Sequence, residues 1–165
     1  MTLSPDDLTP MQLAIDSSRA ALEAGNSPYG ATLVSADGEV LHVAGNTQLT
    51  SGDFTNHAEM VLVREASSRL GLAALRGSTV YASGEPCAMC SGALFWAGVS
   101  RVVYAASNDV MGALLGAGDV LPIRCAEVLA KASPAVQVDG PVLAEAAAEV
   151  LREAAAQHAR SPLLE

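Results

Sequence analysis

Apolar and polar positions follow two different spacings along this chain, and each spacing predicts one kind of element. Apolar residues recur at helical intervals in four segments, which predicts helices over residues 10–25, 57–70, 86–98 and 141–159. Runs of strand-forming residues predict strands over residues 30–35, 39–45, 78–83, 101–106 and 136–138. Because helices and strands alternate, we expect a three-layer α/β/α fold.

Local signals sharpen several of these boundaries. Thr9-Pro10 predicts the start of the first helix, with the threonine as N-cap and the proline at the first helical position. Asp37-Gly38 supplies the turn of an antiparallel hairpin between the first two strands. The strand over 101–106 is apolar enough to be buried on both faces, as parallel strands are. A polar loop is expected over 47–55, and a glycine-rich loop with a short helix over 108–122.

Length and composition limit the class of protein. A chain of 165 residues, half of them apolar, fits a single domain over 1–165 with a core large enough to fold without metal. No apolar run reaches the length of a membrane span and the N-terminus lacks a secretory pattern, so we expect a cytoplasmic protein. Three cysteines make no disulfide framework and suit a reducing compartment. The formal charge of −9 disfavours nucleic acid as a partner.

Two short stretches carry the residues suited to chemistry. The first is Thr55-Asn56-His57-Ala58-Glu59, and the second is Glu85-Pro86-Cys87-Ala88-Met89-Cys90. Each stands at the start of a predicted helix, and ligands in sheets of this class bind beyond the carboxyl ends of the strands, where helices begin. Since Cys87 and Cys90 share one helix face, the spacing predicts two helix N-termini aimed at a common zinc ion.

These residue types also match the electrostatics of a catalytic zinc site. Thiolates are stabilised at helix N-termini, and three protein ligands leave the fourth tetrahedral position of zinc open. Zinc with two thiolates and a neutral imidazole has no net charge, so water activated there benefits from a nearby base. Glu59 fits that role.

Two structural alternatives remain at this stage. A closed zinc site would need a fourth protein ligand, for which Cys125, His42 and His158 are the candidates. A thioredoxin-like redox pair would use the two cysteines of the second stretch but leave the histidine and the glutamate of the first unexplained. Cys125 is expected to be a small buried hydrophobe, and His42 a structural residue within its strand.

At these two stretches the chain resembles the zinc-dependent cytidine deaminase superfamily, whose signature is H-x-E followed by P-C-x-x-C. The details are similar to the branch that contains guanine deaminases, yeast-type cytosine deaminase and tRNA adenosine deaminases. The resemblance covers roughly residues 25–106 and includes segments 28–31, 91–93 and 101–104. It implies a cytidine-deaminase-like fold whose central sheet is mixed, mostly parallel and five-stranded.

The resemblance also implies roles for single residues. The ligands of one zinc ion would be His57, Cys87 and Cys90. Glu59 would take a proton from the attacking water and deliver protons to the ring and to the departing ammonia. Asn46 would hydrogen-bond the base, and the backbone N–H of Ala58 would contact a ring carbonyl.

Two aromatic residues are candidates for substrate contacts. Trp96 resembles the tryptophan that guanine deaminases hold near the substrate ring, and a core aromatic is the equal alternative. Phe54 replaces a proline that is usual in the branch, and is a candidate lid over the ring or a packing residue. Asn56 replaces a common small residue, so the shape of the pocket is where the resemblance transfers least.

Several functions follow from these expectations. The first is zinc-dependent hydrolytic deamination of a small free nucleobase or related aminated heterocycle, guanine or cytosine-like, with release of ammonia. Alternatives are adenosine-to-inosine editing of tRNA, deamination of a nucleoside such as cytidine or guanosine, and a non-catalytic zinc module. We expect a homodimer, because the branch generally assembles, with the helix over 141–159 a candidate for dimer contact or pocket closure. Asp109 and Asp119 are candidates for specificity, while solvated loop acids are the simpler expectation.

Overall fold

The computed structural model describes residues 5–116 and 121–160, which form one α/β unit around a five-stranded sheet. The strands are β1 (Gly30–Val34), β2 (Val40–Gly45), β3 (Thr79–Gly84), β4 (Arg101–Ala106) and β5 (Gln137–Asp139). The helices are α1 (Pro5–Glu23), α2 (Gln48–Ser51), α3 (Ala58–Leu70), α4 (Ala88–Ala97), α5 (Asn108–Leu115), α6 (Cys125–Leu129) and α7 (Ala144–Arg160). A 3-10 turn, Leu72–Leu75, connects α3 to β3.

The sheet has the order β2-β1-β3-β4-β5. Strand β1 pairs antiparallel with both β2 and β3, whereas β3 with β4 and β4 with β5 are parallel. Four strands therefore run in one direction and only β1 runs against them. The expectation of a mixed, mostly parallel, five-stranded sheet is confirmed.

Helices cover both faces of the sheet. One apolar core joins α1 and α7 to the sheet, and includes Met11, Tyr81, Val103 and Val150. The other core joins α3, α4 and α6 to the opposite face, and includes Leu33, Leu62, Val80, Leu94 and Val102. Side chains of successive strand residues point to opposite faces, so Tyr81 and Val80 belong to different cores. The three-layer arrangement is confirmed.

The start of the first helix was predicted wrongly. Helix α1 already includes Pro5, so Pro10 lies inside it and Thr9 is not its N-cap. The extra turn is held by a tertiary contact, because the Asp7 carboxylate accepts hydrogen bonds from Tyr81 Oη and from Arg101 Nη1, both at 2.7 Å. A capping pattern reflects only hydrogen bonds between residues close in sequence. Here the hydrogen bonds of Asp7 to distant residues decide where the helix begins.

Other boundaries differ less. The polar loop predicted over 47–55 contains the single turn α2, and the helix predicted from residue 141 begins at Ala144. The short helix expected in the glycine-rich segment is α5, and the last strand is the edge strand β5. Asp119 lies outside the described residues. Among the helices that the structure describes, none combines the length and apolar character needed to cross a membrane.

A cluster of polar side chains ties four elements together near the amino-terminal end of β4. Arg101 donates through Nε to Asp139 Oδ2 at 2.7 Å, besides its bonds to Asp7, and Gln137 Nε2 donates to the same Asp139 oxygen at 2.7 Å. We call Asp7, Tyr81, Arg101, Gln137 and Asp139 the polar clamp. The polar clamp joins α1, β3, β4 and β5 at the end of the sheet where β4 begins.

Candidate active site

The zinc ligands predicted from the sequence meet at two helix N-termini. His57 is the N-cap of α3 and Cys87 is the N-cap of α4, both with extended backbone angles, and Cys90 follows in the first turn of α4. His57 Nδ1 lies 3.7 Å from Cys87 Sγ and 3.6 Å from Cys90 Sγ. All three ligand atoms lie within 4.8 Å of one another. Two elements therefore deliver one compact donor set.

These separations fit a tetrahedral zinc ion. Bond lengths of about 2.3 Å to sulfur and about 2.05 Å to nitrogen, at a tetrahedral angle, place ligand nitrogen and sulfur atoms about 3.6 Å apart. The two separations from His57 Nδ1 match that value. A mixed imidazole and thiolate set is also the donor chemistry that zinc prefers.

The two cysteines differ in their tendency to ionise. The adjacent Cys90 thiol, followed by the His57 imidazole, lowers the pKa of the Cys87 thiol to about 4. The same contact with Cys87, together with burial, raises the pKa of Cys90. The pair alone thus shares one proton, and a divalent cation supplies the charge that makes both sulfurs thiolates.

Glu59 lies beside this donor set without belonging to it. The Cys90 thiol donates to Glu59 Oε2 at 3.5 Å, and the carboxylate is buried. Burial raises the pKa of the Glu59 carboxyl, which suits a group that both accepts and returns a proton. The acid is therefore within reach of the metal position, as the sequence predicts.

No fourth protein ligand joins the cluster among the described residues. His42 pairs with Glu65, Nε2 to Oε2 at 2.7 Å, and His158 lines a groove between α1, α5 and α7. Cys125 is buried in the second apolar core, as expected, and burial raises its pKa to about 11. The described residues thus favour an open site over a closed structural one.

A cavity of about 150 Å³ opens beside the donor set. Its lining residues are Tyr29, His57, Glu59, Gly84, Glu85, Cys87, Asn108 and Met111. A Cβ added at Gly84 would lie 2.7 Å from Met111 Sδ and 3.1 Å from the Tyr29 ring, so a glycine keeps these two walls close. One small space thus adjoins Glu59 and two of the three predicted zinc ligands, His57 and Cys87.

The sequence predicted three of these eight lining residues and missed the other five, Gly84 among them. Tyr29 and Glu85 lie in segments that the resemblance covers, but neither had a role assigned to it. Asn108 and Met111 lie on α5, in the part of the chain where no motif spacing exists. Only tertiary packing brings α5 to the end of β3, so no sequence signal could have selected these two residues.

The predicted substrate contacts lie around the cavity but do not line it. The Asn46 side chain is 1% exposed; its Oδ1 accepts from Gln48 N–H at 2.9 Å and its Nδ2 donates to Gln48 Oε1 at 3.1 Å. Its backbone N–H donates to the Tyr29 carbonyl at 2.9 Å, which places Asn46 beside the wall. Ala58 is buried as the first residue of α3. Both substrate roles stay predictions.

The two aromatic candidates point outwards. Trp96 is 84% exposed and stacks edge-on against Phe95, so the alternative of a core aromatic is wrong. Phe54 is 87% exposed at the tip of a turn in which Asp53 Oδ1 accepts from Thr55 N–H, so it does not pack within the chain. Their contact with a substrate stays a prediction. Asp109 is exposed and forms an ion pair with Arg124.

The fold and the donor set define a class of zinc-binding deaminase, and comparison with known proteins identifies the family. The model of the cytidine and deoxycytidylate deaminase zinc-binding region matches residues 4–106. The chain belongs to this family of zinc-dependent hydrolytic deaminases. The matched region ends with β4, so α5 to α7 lie outside it.

Proteins with different names are similar to this chain in sequence. A probable cytosine deaminase of Schizosaccharomyces pombe is 35% identical over 153 residues, which are 88% of this chain and 90% of that protein. A tRNA-specific adenosine deaminase of Agrobacterium fabrum is 38% identical over 104 residues, 63% of this chain and 68% of the relative. A tRNA(Ile)-lysidine synthase of Deinococcus deserti is 40% identical over 151 residues, 90% of this chain. The chain spans only 27% of that longer protein.

Solved structures share the fold. The guanine deaminase from Nitrosomonas europaea superposes with a TM-score of 0.78 at 23% identity, covering 94% of this chain and 87% of the other. A structure from work on tRNA:A34 deaminases superposes with a TM-score of 0.70 at 31% identity, covering 86% of this chain and 97% of the other. Both support the cytidine-deaminase-like architecture.

Proposed function

We propose that the chain hydrolytically deaminates a small free nucleobase or related aminated heterocycle, guanine or cytosine-like, and releases ammonia. The observation that carries this proposal is the cavity of about 150 Å³ at which the donor set and Glu59 meet. Drug-sized ligands fill cavities of roughly 300–1,000 Å³, so this space suits a single small ring system. Tyr29 and Met111 supply the apolar walls against which a ring would pack.

The charges near the cavity favour a small molecule over RNA. The chain has a formal charge of −9, and binding of polyphosphate depends on free cationic side chains. Arg124 is the cation tied to the cavity wall, but its guanidinium already pairs with Glu85 and Asp109. The match to 90% of a probable cytosine deaminase supports the same class of substrate.

The residues of the chain divide the chemistry among them. Zinc held by His57, Cys87 and Cys90 would supply a Lewis acid that lowers the pKa of water. Glu59 would take a proton from the attacking water and return protons to the ring and to the leaving ammonia, which its raised pKa favours. The N–H of Ala58, at the first position of α3, has no acceptor within its own helix and would donate to a ring carbonyl. We place the chain in the cytoplasm, because two reduced cysteines are needed as ligands.

A screen of substrates tests this proposal. Zinc-loaded protein is incubated with guanine, cytosine, adenine, triazines and the corresponding nucleosides, and ammonia release is measured. We expect one free base to react with a kcat/KM at least about 100-fold above that of its nucleoside, because a cavity of about 150 Å³ fits a single small ring and leaves the sugar of a nucleoside outside it. Absence of ammonia from every free base would contradict the proposal.

Glu59→Gln is the matched control for the chemistry. The amide cannot accept the proton, so we expect turnover to fall about 10²- to 10⁴-fold. Zinc content and thermal midpoint should remain those of the wild type, because Glu59 is not a ligand. An equally active variant would contradict the proton-transfer role of Glu59, whereas absence of turnover by both proteins would support a non-catalytic zinc module.

Editing of tRNA adenosine is the second candidate. It is supported by the Agrobacterium fabrum relative and by the tRNA:A34 deaminase structure. An anticodon stem-loop assay separates the two functions, since inosine formation with a steep inverse dependence on salt would establish RNA as the substrate. We expect no inosine from this chain.

We further propose that the chain forms a homodimer through the outer face of α4. This helix contains no charged residue, and its outer face presents Met89, Ala93 and Trp96 at helical spacing. A helix that is apolar all round is ordinarily buried, yet Met89 and Trp96 are exposed. Leu72, 75% exposed, extends the same apolar surface.

This surface combines a protruding ring with a groove. Trp96 protrudes beside an apolar groove of about 350 Å³ whose walls include Val63, Leu75 and Ala97. A protruding ring and a groove on one face suit a two-fold interface, in which each copy fills the groove of the other. The occupant we propose is therefore a second copy of the chain.

Sedimentation at micromolar concentrations tests the dimer. We expect Trp96→Asp to shift the wild-type dimer to monomer, because a buried unpaired carboxylate opposes association. The matched control is Leu49→Asp, a residue 67% exposed in the groove on the α1 and α7 side, which should remain dimeric. A monomeric wild type would overturn the interface.

A further inference from the structure

Asn108 occupies a fixed position on the cavity wall. It is the first residue of α5, directly after the N-cap Ser107, whose Oγ accepts from Val110 N–H at 3.4 Å. The backbone N–H of Asn108 donates to Glu85 Oε2 at 3.0 Å. The hydrogen bonds of Ser107 Oγ and of Glu85 thus fix the main chain around Asn108. The side chain of Asn108 is among those that line the cavity.

The carboxamide of Asn108 is available for a ligand. Within the described residues it forms no hydrogen bond, although it has two donors and an acceptor. The carboxamide of Asn46 is instead engaged with Gln48 through both its oxygen and its nitrogen. Of these two asparagines, Asn108 is the one that can bind a ring without first breaking internal contacts.

Glu85 determines where this amide stands. Its buried carboxylate accepts from Asn108 N–H, from Arg124 Nη1 at 3.1 Å and from Cys125 N–H at 3.2 Å. The starts of α5 and α6 are therefore tied to the residue two positions before the ligand Cys87. One carboxylate couples the wall of the cavity to the metal-binding segment.

We infer that Asn108 is a specificity-determining residue whose carboxamide binds a cis-lactam edge of the substrate ring, and that Glu85 is its positioning residue. The inference rests on the proposed function and deepens it. A cis-lactam presents an N–H next to a C=O, which pairs with the oxygen and the nitrogen of a carboxamide in two parallel hydrogen bonds. Guanine and free cytosine both carry such an edge.

Kinetics of Asn108→Ala test the assignment on the base that wild type deaminates. We expect kcat/KM to fall about 10- to 100-fold, mainly through KM, because a buried pair of hydrogen bonds to the substrate is lost. Zinc content and thermal midpoint should not change. The matched control is Gln12→Ala, which removes an exposed carboxamide on α1 that bonds only Asp16 in the described residues, and should match wild type.

An analogue methylated at the lactam nitrogen sharpens this test. Wild type should discriminate against it by a further tenfold or so, and Asn108→Ala should lose that discrimination, because the acceptor of the N–H is gone. A kcat/KM within twofold of wild type, or unchanged discrimination, overturns the inference. Absence of turnover by wild type would instead count against the proposed function.

Binding provides a readout that does not depend on turnover. In the Glu59→Gln background, calorimetry should show about tenfold weaker binding of the base when Asn108→Ala is added. Unchanged affinity contradicts the role of Asn108 whether or not the chain is active. This measurement therefore separates failure of the inference from failure of the proposed chemistry.

A double-mutant cycle tests Glu85. In Glu85→Gln, the N–H groups that Glu85 binds would face either an amide N–H₂ or an amide oxygen, which is a weaker acceptor than a carboxylate. We therefore expect kcat/KM to fall about tenfold with zinc retained. If Glu85 acts through Asn108, adding Asn108→Ala should cause little further loss. Fully additive effects would contradict the positioning role.

Discussion

Tyr29 shows how the cavity imposes unusual chemistry on a single side chain. Burial, followed by the nearby charge of Glu59, raises the pKa of its phenol to about 12. The ring lies between the catalytic cavity and a larger apolar groove on the α1 and α7 side, and lines both. Ionising this residue would place a second negative charge beside the acid, so the folded chain keeps it neutral.

This shift predicts an alkaline loss of stability. Unfolded tyrosine loses its proton near pH 10, whereas folded Tyr29 holds it to about 12, so the unfolding free energy should fall between these values. We expect Tyr29 to contribute up to about 3 kcal/mol of this loss, at about 1.36 kcal/mol for each pKa unit, measured by urea unfolding from pH 9 upwards.

Tyr29→Phe serves as the comparison. The variant should lose part of the alkaline slope and retain the part due to Tyr81, whose pKa burial and Asp7 also raise. Equal slopes for both proteins would contradict the assignment to Tyr29.

Residues close together in sequence were predictable, and residues joined only by folding were not. His57 and Glu59 stand at the start of one helix and Cys87 and Cys90 at the start of another, so local spacing fixes the directions within each pair, and the resemblance to a known signature predicted that the two pairs meet. Asn108 has no such spacing, because its place depends on a hydrogen bond to Glu85, 23 positions away. The sequence therefore predicted the metal site and left the wall of the cavity undefined.

At the scale of elements, the contact between β1 and α1 is unusually close. A Cβ added at Gly30 would lie 2.2 Å from the Ala14 carbonyl oxygen and 2.5 Å from the Ser18 nitrogen. Both are backbone atoms of α1, which a side-chain rotation cannot move. The start of β1 thus sets how near the helix can lie, and Tyr29 immediately precedes it.

Gly30→Ala should therefore destabilise the chain. We expect a loss of about 3 kcal/mol or more in unfolding free energy, because the strand and the helix must separate to admit a methyl group. The matched change is Gly112→Ala, in exposed α5 with no neighbour within 4 Å of the new Cβ. That substitution should stabilise by roughly 0.5–1 kcal/mol through helix propensity. Thermal or urea unfolding measures the stability of both variants. Changes of the same sign in their unfolding free energies would contradict the prediction.

The order of elements was easier to predict than their ends. Helical and strand periodicities identified the seven principal elements up to residue 106 and the final helix, because each buries a regular apolar face. The start of α1 was missed because Asp7 is held by Arg101, 94 positions away. The turn α2 was missed because it is held by Asn26, whose Oδ1 accepts from Leu49 and Thr50 N–H groups.

At the scale of the whole molecule, the polar clamp links four elements at the end of the sheet where β4 begins. Asp7 and Asp139 are buried, and Arg101 bonds both of them. Arg101→Met would leave two buried carboxylates without their shared cation, so we expect a loss of about 3 kcal/mol in unfolding free energy. Deaminase activity per folded molecule should stay unchanged. A variant as stable as wild type in urea would show that the clamp is dispensable.

Removing zinc should separate activity from folding. Two apolar cores hold the sheet, and the ligands lie at its margin, so chelated protein should keep its far-ultraviolet circular dichroism and unfold cooperatively. Its thermal midpoint should fall, because a ligand that binds only the folded state stabilises it by mass action. Activity should vanish and return on readdition of zinc. Unfolding upon chelation would identify the ion as a structural one.

The polar clamp and the metal site stand at opposite ends of β4, and an engineer could exploit that distance. Arg101 lies at the first residue of β4, and the proposed substrate contact Asn108 lies just past its last residue, Ala106. Mutant libraries for new aminated substrates could therefore vary the residues of α5 around Asn108. Stabilising substitutions could be introduced separately around Arg101, at the other end of β4. Selectivity and durability would then become two independent design problems within one short polypeptide.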